Sequence, residues 1–168
     1  MALPTQPLRD EHKDLLPHIE TLATLADSVG QLAPGLLRKR VDEAHGFLAH
    51  HLIAHAQAED RALYPVVAKL MGAPEATATM SRDHVEVGRL TAELAALRSQ
   101  LSGATVSDVQ AKALRRILYG LYALVKVHFA KEEEIYLPLL DARLKPAAAR
   151  RMFEAMEKAA LEAMGHSH

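Results

Sequence analysis

The sequence predicts an all-α protein, an antiparallel up-down-up-down four-helix bundle with an additional C-terminal helix. Three observations carry that expectation. Ala, Leu, Glu, Lys and Arg dominate the 168 residues, and the β-branched runs that favour strands are missing. Apolar residues recur at steps of three and four, the spacing of a stripe along one helical face. Glycine and proline cluster at 30–35, 72–74, 103–107 and 145–146, which leaves four long segments and a short one.

Helices are expected at 5–29, 34–70, 74–101 and 106–143, with the shorter one at 147–164. Pro34 and Pro74 sit where a first helical turn accepts proline, and Ser107 with Gln110 three residues on reads as a capping box. Pro17, Pro65 and Pro138 fall inside segments and predict kinks or early ends. The first seam reads Leu8, His12, Leu15, Ile19, Leu22, Ala26, Val29; the second Leu48, Leu52, His55, Glu59, Ala62, Val66. The third reads Met80, His84, Val87, Leu90, Leu94, Leu97, Leu101; the fourth Leu114, Leu118, Leu121, Val125, His128, Glu132, Ile135, Leu139. Short connections make consecutive helices antiparallel neighbours. The last helix, with Phe153, Met156, Ala160 and Met164 on one face, is expected to cover the bundle.

Composition narrows the function. With 20 basic and 21 acidic residues there is no basic face to attract nucleic acid or an anionic membrane. The longest apolar run, 117–125, falls short of the ~20 residues of a membrane span. The first residues lack the basic-then-apolar layout of a secretory signal, so the expectation is one cytoplasmic domain over 1–168, as a monomer or dimer. Without cysteine, disulfides, thiolate metal sites and cysteine nucleophiles are excluded. Ten histidines, against four tyrosines and three phenylalanines, are the anomaly.

Six polar residues stand on the apolar seams: His12, His55, Glu59, His84, His128 and Glu132. A duplication relates them. His55-Ala-Gln-Ala-Glu59 and five residues lead to Pro65, as His128-Phe-Ala-Lys-Glu132 and five residues lead to Pro138. Upstream, Glu11-His12 matches Asp83-His84, with 43 residues from His12 to His55 and 44 from His84 to His128. Residues four apart differ by only about 40° around a helix, so each His-x-x-x-Glu presents both side chains on one face. In antiparallel neighbours, ligands early in one helix meet those late in the next. All six can therefore occupy one level. The adjacent Asp60, Glu133 and Glu134 turn off that line and read as solvated charge, which makes Glu133→Ala a neutral substitution.

Burying an unpaired carboxylate costs several kcal/mol, a cost that coordination of cations removes. Imidazole with carboxylate and no thiolate suits iron, zinc, copper or manganese, and six ligands suit two ions bridged by the carboxylates. Taken singly, each histidine reads first as a core imidazole bonded to backbone; the repeat and the two glutamates weigh against that for the set. His51, one turn before His55, is a candidate fifth ligand or a partner orienting one. Tyr136, one turn beyond Glu132, reads first as an ordinary core tyrosine and otherwise as a candidate donor to a bound oxygen species, while Tyr64 falls off the line and reads as structural. His18 and His50 read as exposed, His45 stands about 15 Å from His55 along the helix, and His166 and His168 read as a tail.

The doubled pattern His12, His55-x-x-x-Glu59, His84, His128-x-x-x-Glu132 resembles the hemerythrin-like (HHE cation-binding) domains over roughly residues 5 to 143. That resemblance implies a non-haem di-iron centre. His12 and His55 would hold one iron and His84 and His128 the other, with Glu59 and Glu132 bridging beside an oxo or hydroxo group. Oxygen-carrying members place a further histidine where this chain has Gly88. The implied partners are O₂, NO or H₂O₂ and an electron donor, with catalase-like peroxide disproportionation as the enzymatic form. The alternatives are an O₂ or NO binding or sensing module, an iron donor for damaged metal centres, and a structural bundle holding zinc.

Overall fold

A computed structural model describes residues 2–165. Four long helices and a fifth covering one follow each other as the glycine and proline breaks predict. α1 (Gln6–Ser28) runs through Pro17 without ending there. Its start is tied to the far end of the fourth helix: the Thr5 amide and hydroxyl both donate to Asp141 (3.0 Å each). α2 spans 34–71 and begins with Pro34 in its first turn. It stops at Gly72, whose φ of +71° is the left-handed conformation that only glycine adopts without strain. A 3₁₀ turn (Pro74–Thr77) leads into α3 (Ala78–Gln100). Ser107 and Gln110 form the reciprocal cap expected of them, opening α4, which spans 108–143. α5 (Pro146–Gly165) packs along 53–63 of α2.

Pro65 and Pro138 do not end their helices. A proline inside an α-helix clashes with the carbonyl four residues back and has no N–H to give it. Here the chain inserts a π-helical turn before each: Glu59–Leu63 in α2 and Glu132–Tyr136 in α4. The Tyr64 amide donates to the Glu59 carbonyl and the Leu137 amide to that of Glu132, both five residues back. The extra residue rotates everything downstream by one position. The buried face becomes Leu63, Tyr64 and Val67 in α2, and Tyr136, Leu137 and Leu140 in α4. Ile135, placed on the seam by simple periodicity, is 54% exposed. α5 shows a similar offset, burying Ala149, Met152, Met156 and Ala159 and leaving Met164 exposed.

The apolar interior is divided. One core gathers Leu22, Leu48, Leu94, Leu118 and Leu121 with Phe129 at its edge. The other gathers Leu8, Leu63, Val67, Leu137 and Leu140 with Met152 and Met156 of α5. The six seam polar residues lie between the two. Among the described residues, no helix is long and apolar enough to cross a membrane.

Candidate metal centre

α1 and α3 each deliver one histidine from an early turn. α2 and α4 each deliver a histidine and a glutamate from one face, immediately before or within a π turn. The side chains meet in two corners, and each glutamate gives one oxygen to each corner. In the first corner the Glu59 Oε1 lies 2.8 Å from His55 Nε2 and 3.7 Å from His12 Nε2, while Glu132 Oε2 lies 3.5 Å from His12 Nε2. In the second, Glu59 Oε2 lies 3.1 Å from His84 Nε2 and 3.7 Å from His128 Nε2. Glu132 Oε1 stands 2.5 Å from His128 Nε2, and the two imidazole nitrogens are 3.0 Å apart. Donors at right angles around an ion held at about 2.1 Å stand about 3 Å apart, so the spacing is that of atoms sharing a cation.

Satisfaction of the polar atoms gives a separate test. His12 Nε2, His55 Nε2, Glu59 Oε1 and Glu132 Oε2 are buried with no hydrogen-bond partner, and all four face the first corner. Buried polar atoms are rarely left so, and a cation would satisfy them together. The second corner has a protein partner: the Tyr64 hydroxyl lies 3.1 Å from Glu132 Oε1, 3.4 Å from Glu59 Oε2, 3.1 Å from His128 Nε2 and 3.3 Å from His84 Nε2. The residues present thus form two groups that could hold a cation, His12, His55 and Glu59 with Glu132 Oε2 near His12, and His84, His128, Glu59 and Glu132 within reach of the Tyr64 oxygen.

Each ring is also held from behind. His12 Nδ1 bonds Glu133 (2.8 Å), His84 Nδ1 bonds Asp60 (2.9 Å) and His128 Nδ1 bonds Asp83 (2.9 Å). His55 Nδ1 lies 2.9 Å from Glu11 Oε1, but without the alignment of a hydrogen bond. Further partners hold three of these acids: Arg9 on Glu133 (2.8 Å), Ser81 on Asp60 (2.6 Å) and Lys131 on Asp83 (2.5 Å). A carboxylate on Nδ1 fixes the tautomer so that Nε2 presents its lone pair inward.

Protonation follows from this geometry. Burial alone would lower the His12 and His128 imidazoles, but the nearby carboxylates of Glu132 and Glu59 more than offset it, raising them from 6.5 to about 9 and about 10. His55 is held well above its ordinary value, against burial, by Glu59 and Glu11; His84 is raised by Asp60 and Glu59 in the same way. Burial opposes ionisation of Glu59, yet the imidazoles around it, His55 foremost, keep it well below the usual carboxylate range. Burial and then the two glutamates push the Tyr64 hydroxyl upward, so it keeps its proton. Without metal, protons on the imidazoles balance the carboxylates.

All six expected ligands therefore converge, and three other expectations need correction. Tyr136 donates its hydroxyl to the Ala76 carbonyl (3.0 Å) and stands edge-on to Tyr64. The π turn carried it off the ligand face and left Tyr64, five residues after Glu59, on it. His51 is exposed and lies over the Phe47 ring at 6.3 Å, in neither ligand group. The preceding π turn, Leu48–Leu52, spoils the simple one-turn relation to His55. Asp60 and Glu133 are not idle charge. Glu133→Ala, neutral on the simple reading, is expected to weaken metal binding roughly 10- to 100-fold through a loosened His12. A chelator-competition titration checks this, and unchanged affinity would return Glu133 to the surface.

Such a bundle, with two histidine pairs sharing two buried carboxylates, defines a cation-binding helical protein. Residues 3–140 match the hemerythrin HHE cation-binding domain, and the chain belongs to that family. No curated protein and no solved structure gives a significant match.

Proposed function

We propose that this protein is a non-haem di-iron protein that binds or reacts with O₂, NO or H₂O₂, with peroxide disproportionation as its enzymatic form. The observation that carries the reading is the division of Glu59 and Glu132, one oxygen of each to either corner, which suits a bridged pair of ions and no single tetrahedral one. Iron bound there would supply the redox chemistry. The chain's own residues set its surroundings. The two apolar cores exclude water on either side, and Phe129 stacks face to face on His12 at 4.3 Å. Glu133, Asp60 and Asp83 hold the rings of His12, His84 and His128 by hydrogen bonds, and Glu11 faces that of His55. Tyr64 Oη, which keeps its proton, is the donor closest to a small ligand in the second corner, the role the sequence suggested for Tyr136.

Metal analysis of protein purified without added metal is expected to give two irons per chain. The iron-loaded protein is expected to evolve O₂ from peroxide above the rate of free iron, and Tyr64→Phe to slow it. A reversible spectral change with O₂ or NO and no product would assign a binding module. Zinc, or no metal, would remove the di-iron reading.

A further inference from the structure

We propose that the groove between α1 and the first part of α2 is a binding site for an elongated apolar molecule carrying a positively charged nitrogen. α1 packs closely on α4 and only loosely on 34–47, and the gap between them forms a cavity of about 910 Å³. That is the size of a small-molecule site, and most of the surface its walls present is apolar, with polar groups spaced along both helices. Leu22, Leu25, Leu32, Leu36 and Phe47 line its length; Glu11 and Asp14 stand at the end nearest His55.

Two features of the backbone argue that the gap is kept open. Gly46 lies inside a helix, where glycine costs roughly 0.5–1 kcal/mol against alanine, and a Cβ placed there would meet nothing within 4 Å. No packing contact requires a glycine, and the missing side chain leaves the groove it lines clear. The π turn Leu48–Leu52 follows at once, and no proline accounts for it. Its counterpart in the second half of the repeat, 121–125, is ordinary α-helix, so the departure belongs to the groove side alone. Irregular turns of this kind collect at functional sites.

Charge selects the ligand. Three carboxylates, Glu11, Asp14 and Glu43, line the groove together with the imidazoles of His18, His50 and His51 and one guanidinium, Arg40, which Glu43 already holds at 3.0 Å; Glu11 also faces His55 at 2.9 Å, which leaves Asp14 as the carboxylate nearest the apolar length. An ammonium group fits the Glu11–Asp14 end, and an anion does not. From Asp14 to Leu25 the helical rise is about 16 Å, room for a chain of roughly a dozen carbons.

The test uses the full-length protein and dodecylamine, dodecanol and dodecanoate, each below its self-association concentration, with binding followed by calorimetry. Dodecylamine is expected to bind saturably, one per chain, and about tenfold or more tighter than dodecanoate, the size of one charge-assisted hydrogen bond. Gly46→Phe, whose ring fills the groove, should weaken it about tenfold or more at unchanged helicity. Asp14→Lys, an exposed change, should abolish or reverse the preference for the amine. Equal binding of amine and carboxylate, no saturable binding, or full affinity in Gly46→Phe would overturn the proposal. So would a dimer that Gly46→Phe dissociates, which would give the groove to a second copy. Glu11 adjoins His55, but neither substituted position, Gly46 or Asp14, belongs to the metal centre, so these readouts stand or fall apart from the di-iron reading.

Discussion

Glu59→Ala is expected to leave the protein unable to hold either ion. Glu59 supplies an oxygen to both corners, so its loss removes one donor from each and the bridge between them. His128→Ala takes a donor from the Tyr64 corner alone and should spare the other ion longer. The same change destabilises the metal-free protein. Glu59 is fully buried and balances imidazoles whose protons it holds in place. Removing one partner of a buried pair leaves the others uncompensated, at a cost of about 3–5 kcal/mol. Against a total stability of roughly 5–15 kcal/mol, that is a large fraction. Native mass spectrometry of the loaded variant and urea unfolding of the metal-free one measure the two effects. Retention of two ions would show that Glu59 does not bridge.

The two effects share an origin, since the arrangement that suits the ions is the one that strains the empty protein. A core built only for stability would fill this level with leucine, as the same helices do on either side. Four imidazoles and two carboxylates sit there instead, and four of their atoms in the first corner have opposite charge nearby but no hydrogen bond.

Much of this was legible from spacing alone. Two copies of His-x-x-x-Glu at matched distances from a preceding histidine located the level at which six side chains meet, because periodicity reports which face of a helix a residue occupies. It reports nothing about a change of pitch. The π turns Glu59–Leu63 and Glu132–Tyr136 each begin at a seam glutamate and precede a proline, and the extra residue exchanged Tyr136 for Tyr64 and Ile135 for its buried neighbour. Glu59-x₅-Pro65 and Glu132-x₅-Pro138 carried that signal, because a proline that does not end its helix needs the carbonyl behind it moved aside. The outer carboxylates were missed for another reason. Asp60 and Glu133 do point off the seam, and each reaches a histidine on a neighbouring helix that a single-helix projection does not contain. The duplication itself held the clue, since Glu11 and Asp83, like Asp60 and Glu133, repeat along with the ligands they support.

Metal affinity is expected to climb steeply with pH, and the stability of the metal-free protein to fall. The imidazoles of His12 and His128 are raised to about 9 and about 10, and those of His55 and His84 are raised also. A raised pKa means the folded protein binds the proton more tightly than the unfolded chain. The stability this gives is fully present below 6.5, the ordinary imidazole value, and is lost as pH rises through 9 to 10. Glu59, lowered, acts in the opposite sense: its contribution is present above 4.5, its ordinary value, and is lost as pH falls below that. The metal-free protein should therefore be most stable in the mildly acid range and weaken toward alkaline pH. An ion needs both imidazoles of its corner neutral, so each proton it displaces adds about a factor of ten in apparent affinity per pH unit, about a hundredfold for two. Loaded and metal-free melting temperatures should thus diverge as pH rises from 7 to 9. Calorimetry in buffers of different ionisation enthalpy counts the protons released. An affinity independent of pH over that range would mean that the histidines are neutral before the metal arrives, and that the carboxylates are balanced some other way.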